Sequence, residues 1–218
     1  MSKGQSAEAR QIVLALIENA ERAGSPPGYQ AGLWHLLGVA QHRLGSYDEA
    51  KAALNRGSQA LNQGQQTAPE LRIALLVELA DVNLNQGDLG EANAVLRRAL
   101  GFASKELPSR HPRLASVHHS RGILFWMQGQ LSHAEKALRQ SLTILEESRG
   151  HDHPDTAVVE GGLARLLTMT GRQAQAIPLI ERSKTTLERI YGPLHPDKIV
   201  ATCALGAAWR SPHRPGAS

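Results

Sequence analysis

Histidine is the residue type in this sequence with the most evident chemistry, because an imidazole can bind a metal or move a proton near neutral pH. The chain has ten histidines in 218 residues, and the sets closest in sequence are His118-His119 and His151-x-His153. A zinc site needs three or four converging ligands, and neither set has a nearby Cys or a third ligand at helical spacing. His118 and His119 would also point about 100° apart on a helix. We therefore predict no metal site and no cofactor, and we expect loop histidines before proline to pack or to cap helices.

Other residue types with catalytic potential are also poorly placed for a reaction. No Ser, Cys or His arrangement has the spacing of a nucleophile and its base, and Cys203, the single cysteine, lies on a predicted helix beside Ala204. A single cysteine excludes an internal disulfide. Gly161-Gly162 lacks the Gly-Lys-Ser/Thr sequence of a phosphate-binding loop, so close helix packing explains it better. The sequence predicts no catalytic residues and a protein that is not an enzyme.

Composition and charge indicate a helical protein without a nucleic-acid surface. Hydrophobic residues make up 41% of the chain and aromatic residues only 4%, so the core consists mainly of Leu, Ala, Ile and Val. The formal charge is only +4, and basic residues alternate with acidic ones as on solvated helix faces. The apolar run Ile12 to Ile17 has six residues, too few for a signal peptide or a membrane span. We predict a cytoplasmic protein with no nucleic-acid or membrane partner.

The elements that must position these residues repeat every 42 residues. The repeating positions are turn glycines, alanines that follow the turns, and a small residue before each turn. They are Gly45, Gly87, Gly129 and Gly171; Ala50, Ala92, Ala134 and Ala176; and Gly38, Ala80, Gly122, Ala164 and Gly206. This spacing is typical of a solenoid in which each repeat is two antiparallel helices, A and B, joined by a tight turn. Small residues are expected where the two helices cross closely.

The repeat divides the chain into four predicted segments. Residues 1–6 are predicted to be disordered, and residues 7–28 to form an N-terminal capping helix, Ala7 to Ala23, and a linker. Residues 29–210 form the array, with four full repeats and a C-terminal helix, and residues 211–218 are a disordered tail. Ser46, with Glu49 three residues later, and Asp88 are predicted N-caps of helix B.

The first repeat resembles the tetratricopeptide repeat family. Six residues match that consensus: Trp34, Leu37, Gly38, Gly45, Tyr47 and Ala50. The 42-residue period, with His-Pro loops that end in Pro112, Pro154 and Pro196, is similar to the kinesin-light-chain subtype. The resemblance implies an all-α fold, a TPR-type α-solenoid in which antiparallel helix pairs form a right-handed superhelix. In this family the A helices line a concave groove that usually binds a peptide or a protein.

The same resemblance places twelve candidate binding residues in the groove. They are His35, Val39, His42, Arg43, Glu78, Asp81, Asn85, His119, Ser120, Ile123, Trp126 and Arg165. Trp126, Arg43 and Arg165 are the first candidates for energetic anchors, because aromatic and Arg side chains dominate many interfaces. The Lys and Asn residues that clamp a C-terminal carboxylate, and the paired asparagines of kinesin light chains, are missing at the matching positions. The ligands of those relatives are therefore not expected here.

Two function hypotheses follow. The first is a non-enzymatic module that binds a peptide or partner protein in the groove. The alternative is a self-associating scaffold, a homo-oligomer formed through repeat ends or convex faces, or a regulatory subunit or module of a larger assembly. A catalytic or metal-dependent protein is disfavoured by the absences described above.

Overall fold

Helices account for all the regular structure in the described part of the chain. The computed structural model describes residues 3–64 and 68–192, and within these ranges there are nine α-helices and no strand. They are α1 Lys3–Arg22, α2 Pro27–Leu44, α3 Tyr47–Gln63, α4 Pro69–Gln86, α5 Leu89–Glu106, α6 Pro112–Met127, α7 Leu131–Arg149, α8 Pro154–Met169 and α9 Gln173–Tyr191. Helix content of this kind confirms the predicted all-α class for these residues.

The helices pack as consecutive pairs within two compact units, Met1–Ser109 and Arg110–Ser218. In the first unit α2 packs on α3 and α4 on α5, while α1 covers α2 and α3 contacts α4. In the second unit α6 packs on α7, α8 packs on α9, and α7 contacts α8. Each pair is one 42-residue repeat, so the predicted repeat architecture is confirmed in both units.

Glycine allows the tight turn inside each pair. Gly45, Gly87, Gly129 and Gly171 all have positive φ, between 73° and 83°. Side chains rarely adopt this left-handed conformation, whereas glycine does so without steric cost. The Gly45 amide donates to the carbonyl of His42, which satisfies one of the free carbonyls at the end of α2. The 42-residue glycine spacing thus marks the end of each helix A.

Proline and histidine together start the A helices of the second unit. Pro112 and Pro154 occupy the first turn of α6 and α8, where a missing N–H is not needed. The Nδ1 atoms of His111 and His153 accept hydrogen bonds from the backbone N–H groups two residues later, at 3.2 and 3.1 Å. The prediction that these loop histidines cap helices is confirmed.

The predicted side-chain caps of the B helices were wrong. Ser46 and Asp88 precede α3 and α5, but neither side chain makes a capping hydrogen bond. The Asp88 carboxylate instead accepts from Lys51 Nζ at 3.0 Å. The backbone still closes both turns, since the Ser46 and Asp88 amides donate to carbonyls at the ends of α2 and α4.

The small residues in the A helices allow close contact with helix B. A Cβ added to Gly38 would lie 2.6 Å from the Leu54 side chain, and one added to Gly122 would lie 2.8 Å from Leu138. These distances are shorter than atoms tolerate, so α2 and α6 can approach their partners only without a side chain there. The predicted steric reason for this series is therefore present in both units.

Two further sequence predictions concern the ends of the chain. Helix α1 begins at Lys3, four residues before the predicted start at Ala7, because adding a turn to an existing helix needs no new nucleation. The predicted helix from Asp197 to Trp209 and the tail 211–218 lie outside the described residues. None of the described helices is both long and apolar enough to cross a bilayer.

Candidate functional site

The second unit contains a partly open pocket between its two A helices. The pocket has a volume of about 170 Å³. Its wall residues come from α6 and α8, and its floor residues come from α7 and α9. The lining is His119, Gly122, Ile123, Trp126, Leu138, Val158, Gly161, Gly162, Arg165, Leu166, Ile180, Ser183 and Leu187. We call this site the α6–α8 pocket.

Two consecutive glycines on α8 keep the α6–α8 pocket open. A Cβ on Gly162 would lie 3.9 Å from both His119 Nε2 and a methyl group of Leu138, and so would occupy pocket space without a clash. A Cβ on Gly161 would lie 3.2 Å from Ser183 Oγ, which is a tighter contact. Glycine inside a helix costs roughly 1 kcal/mol relative to alanine. The pocket is therefore built at some expense of helix stability.

Trp126 and Arg165 form the polar side of the pocket. The guanidinium carbon of Arg165 lies 4.3 Å from the centre of the Trp126 ring, a cation–π contact between α6 and α8. Within residues 3–64 and 68–192, no carboxylate pairs with Arg165, which is exposed. Its hydrogen-bond donors remain available to an acceptor on a bound molecule.

Four of the predicted binding residues lie together in this pocket: His119, Ile123, Trp126 and Arg165. Ser120 does not join them, because only 1% of its surface is exposed. A serine side chain is short, and it ends below the surface that its larger neighbours form. Ser120 is therefore a buried residue of α6 and not a surface contact.

In the first unit, three predicted binding residues form a hydrogen-bonded chain between α2 and α4. Glu78 Oε1 lies 2.6 Å from His42 Nδ1, and Asn85 Nδ2 lies 2.6 Å from His42 Nε2. The pattern matches an imidazole that donates from Nδ1 to the carboxylate and accepts from the amide. These bonds hold the three polar groups in fixed positions between α2 and α4.

The remaining predicted residues of the first unit differ in exposure. Arg43 is exposed, whereas His35, Val39 and Asp81 are half-buried. His35 and Asp81 each interact with another group. The structure therefore gathers seven of the twelve candidate residues into two groups, one in each unit.

Sequence reasoning missed the floor of the α6–α8 pocket. Leu138 and Ile180 belong to the B-helix series Leu54, Leu96, Leu138 and Ile180, which are 42 residues apart and have the appearance of ordinary core residues. Leu138 lies next to Gly122 and Gly162, whose missing side chains leave it uncovered, and Ile180 lines the same pocket. The 42-residue spacing of that series predicts core residues. Only the Gly161-Gly162 pair could have indicated that Leu138 and Ile180 are accessible from a pocket.

In both histidine sets, the two histidines have different surroundings. Burial, helped by the charge of Arg121, lowers the pKa of His118 to about 4, while His119 lines the α6–α8 pocket. His153 caps α8, whereas His151 lies beside Glu146 and Glu160. The possible ligand atoms of Glu146, His151 and Glu160 all lie within 4.8 Å of one another. Among the residues that the structure describes, this is the group that could hold a metal ion.

Known proteins share both the sequence pattern and the fold. One model of the tetratricopeptide repeat family matches residues 71–147 and 134–187, and a second matches residues 31–59. The fold is similar to that of BtubC (BKLC) from P. vanneervenii, with a TM-score of 0.72 and 15% identity over 95% of this chain and 81% of that one. A putative kinesin light chain with nearly identical TPR-like repeats from Podosopora anserina has a TM-score of 0.64 and 22% identity over 84% and 86% of the two chains.

A third similar structure contains a bound peptide. The Rap conjugation gene regulator of plasmid pLS20, in complex with the Phr* peptide, has a TM-score of 0.71 and 17% identity over 84% of this chain and 50% of that one. No curated protein sequence matches the chain. Identities at this level establish a shared fold and leave the ligand to be inferred from the site itself.

Proposed function

Because the chain belongs to the tetratricopeptide repeat family, we propose that it is a non-enzymatic interaction module that binds a peptide or a segment of a partner protein. We place the principal contact at the α6–α8 pocket, which is the single observation that carries the proposal. The Rap regulator, with its Phr* peptide, is one protein of similar fold that holds such a ligand.

The size and lining of the pocket favour one side chain as its occupant. Its volume of about 170 Å³ is below the roughly 300–1,000 Å³ of pockets for drug-sized ligands. Ile123, Leu138 and Ile180 make the interior apolar, so an apolar side chain of the partner would exclude water there. A small-molecule cofactor is therefore a poorer fit than an anchor residue of a peptide.

The rim of the pocket suggests which group lies next to that anchor. Arg165 offers planar donors at the surface, and the Trp126 ring supports its guanidinium. Such a group suits a carboxylate or a backbone carbonyl of the bound segment. The preferred ligand is accordingly an extended segment with an apolar side chain near an acidic one.

A peptide array probed with the purified full-length chain tests this function. Wild type is expected to bind a subset of peptides rich in apolar and acidic residues, and Trp126→Ala/Arg165→Ala is expected to lose them. Arg72→Ala/Phe102→Ala is a matched control, since it removes a cation–π pair of the first unit at 5.5 Å. Equal binding by all three proteins would place the binding surface elsewhere.

Self-association stays a prediction beside this proposal. Light scattering over a wide range of protein concentration decides it, because a homo-oligomer would increase in mass with concentration. A constant monomer mass would reject the scaffold hypothesis and leave the interaction module unaffected.

A further inference from the structure

Glu160 is a buried carboxylate at a position where no other repeat has an acidic residue. The residues 42 and 84 positions earlier are His118 and Leu76, and the one before them is Trp34. Glu160 has no exposed surface at all. Burying a charge is costly unless it is paired and hydrogen-bonded, so this substitution calls for a specific partner.

Only half of the Glu160 carboxylate has a partner. Oε1 accepts from Arg182 Nε at 2.7 Å, whereas Oε2 is buried without a hydrogen bond among the described residues. In the first repeat the corresponding pair, also 22 residues apart, is Arg56 over the Trp34 ring at 4.9 Å. The first and fourth repeats thus both have an arginine at this position, and the unsatisfied oxygen is what Glu160 adds. Its burial raises the pKa of the Glu160 carboxyl, although Arg182 opposes this effect.

Two other ligand-type groups lie next to this carboxylate. Glu146 is near the end of α7, and His151 is in the loop before α8; their Oε1 and Nδ1 atoms are 3.3 Å apart. Donor atoms on one tetrahedral Zn²⁺ lie roughly 3.4 Å apart, given bonds of about 2.0–2.2 Å. With all three donors already within 4.8 Å of one another, shifts of roughly 1 Å would complete the arrangement.

We propose that Glu146, His151 and Glu160 form a binding site for a divalent transition-metal ion such as Zn²⁺. The two carboxylates offset the charge of the ion, and together with the imidazole they supply the oxygen and nitrogen donors that zinc accepts. Arg182 holds Oε1 of Glu160, which orients the carboxylate and leaves Oε2 for the ion. A bound ion ties the end of α7 and the following loop to α8.

The site is distinct from the α6–α8 pocket. None of the three ligands lines that pocket. Glu160 and Gly162 are two residues apart on α8, which places them about 200° apart around the helix. Metal binding can therefore be measured without the peptide ligand, and its failure leaves the proposed interaction function untouched.

Competition with a zinc-chelating dye, on full-length protein purified without an affinity tag, tests the proposal. Wild type is expected to bind one Zn²⁺ per chain. His151→Ala and Glu160→Leu are each expected to weaken binding at least about ten-fold, since each removes one of three ligands. Glu160→Leu installs the residue type of Leu76, and His151 is exposed, so both variants should fold. His133→Ala, which removes an exposed histidine of α7, is the control and should bind like wild type.

Thermal unfolding gives a second readout. Zn²⁺ is expected to raise the Tm of wild type and of His133→Ala in a concentration-dependent way, and to leave that of His151→Ala unchanged. The proposal is overturned if wild type binds no Zn²⁺ at one equivalent, or if binding survives either ligand substitution undiminished.

Discussion

The guanidinium carbon of Arg165 lies 4.3 Å from the centre of the Trp126 ring, and this contact joins α6 to α8 at the edge of the α6–α8 pocket. Cation–π contacts at exposed sites contribute roughly 0.5–1 kcal/mol. The contact also holds a charged donor group beside an apolar cavity. A polar contact at the rim and an apolar anchor inside are the two parts expected of a hot spot in an interface.

Gly162→Ala should change the stability of the protein and its peptide binding in opposite directions. An added Cβ meets only ordinary contacts at 3.9 Å, and alanine favours a helix over glycine, so the free energy of unfolding should rise by roughly 0.5–1 kcal/mol. Peptide binding should weaken because the cavity is narrower. Chemical denaturation and a binding titration measure the two effects.

The control for that variant is Gly101→Ala, where an added Cβ meets nothing within 4 Å on the exposed side of α5. It should gain similar stability and keep wild-type binding. Loss of stability in Gly162→Ala, or the same binding in both variants, would contradict the role given to this glycine.

Gly122→Val should destabilise the second unit. Its Cβ would lie 2.8 Å from Leu138, so α6 and α7 must move apart, at a cost of about 1–3 kcal/mol. Gly101→Val makes the same change at an open helical position and should alter stability by only about 0.5 kcal/mol. Denaturant unfolding of both variants measures the difference, and equal stability would show that the close helix contact is not required.

The protein should lose stability in acid partly through His118. The pKa of its imidazole is about 4 in the folded chain, because burial and then the charge of Arg121 lower it from 6.5. Between these pH values the unfolded chain binds a proton that the folded chain does not. The free energy of unfolding therefore does not depend on protonation of this imidazole above pH 6.5, and it decreases as the pH falls from 6.5 toward 4.

His118→Leu, which places the residue type of Leu76 at the corresponding position, should flatten the dependence of unfolding free energy on pH in this range. Exposed His133→Leu is the comparison variant. An unchanged pH profile in His118→Leu would show that another group titrates instead.

Most of the fold could be predicted from spacing alone. Gly45 and its equivalents must end helix A because a positive φ excludes most side chains, and Gly38 must be small because Leu54 lies opposite. These requirements act within one repeat and so appear directly as a 42-residue period. The Ser46 cap was wrong, because a capping pattern specifies which residues could bond and not whether the backbone already closes the turn.

The site was less predictable, since its contacts join different repeats. His42 meets Glu78 and Asn85 across 36 and 43 residues, and that pairing depends on how α4 is set against α2. Glu160 is invisible as a ligand in a helical pattern, although comparison with Trp34 at the repeat spacing marks it as a charged residue in an apolar position. Ser120 was predicted to be a surface residue from its position on the helix, but its side chain is too short to reach the surface.

The most direct measurement of the central claim is the Kd of a peptide selected by the wild-type protein, determined by calorimetry for wild type and Trp126→Ala. Removing an aromatic side chain from a binding hot spot typically costs about 2 kcal/mol or more, so binding should be roughly thirty-fold weaker. Phe102→Ala, at an exposed aromatic residue of α5, should bind like wild type. Equal affinity of wild type and Trp126→Ala would contradict the assignment of the α6–α8 pocket as the binding site.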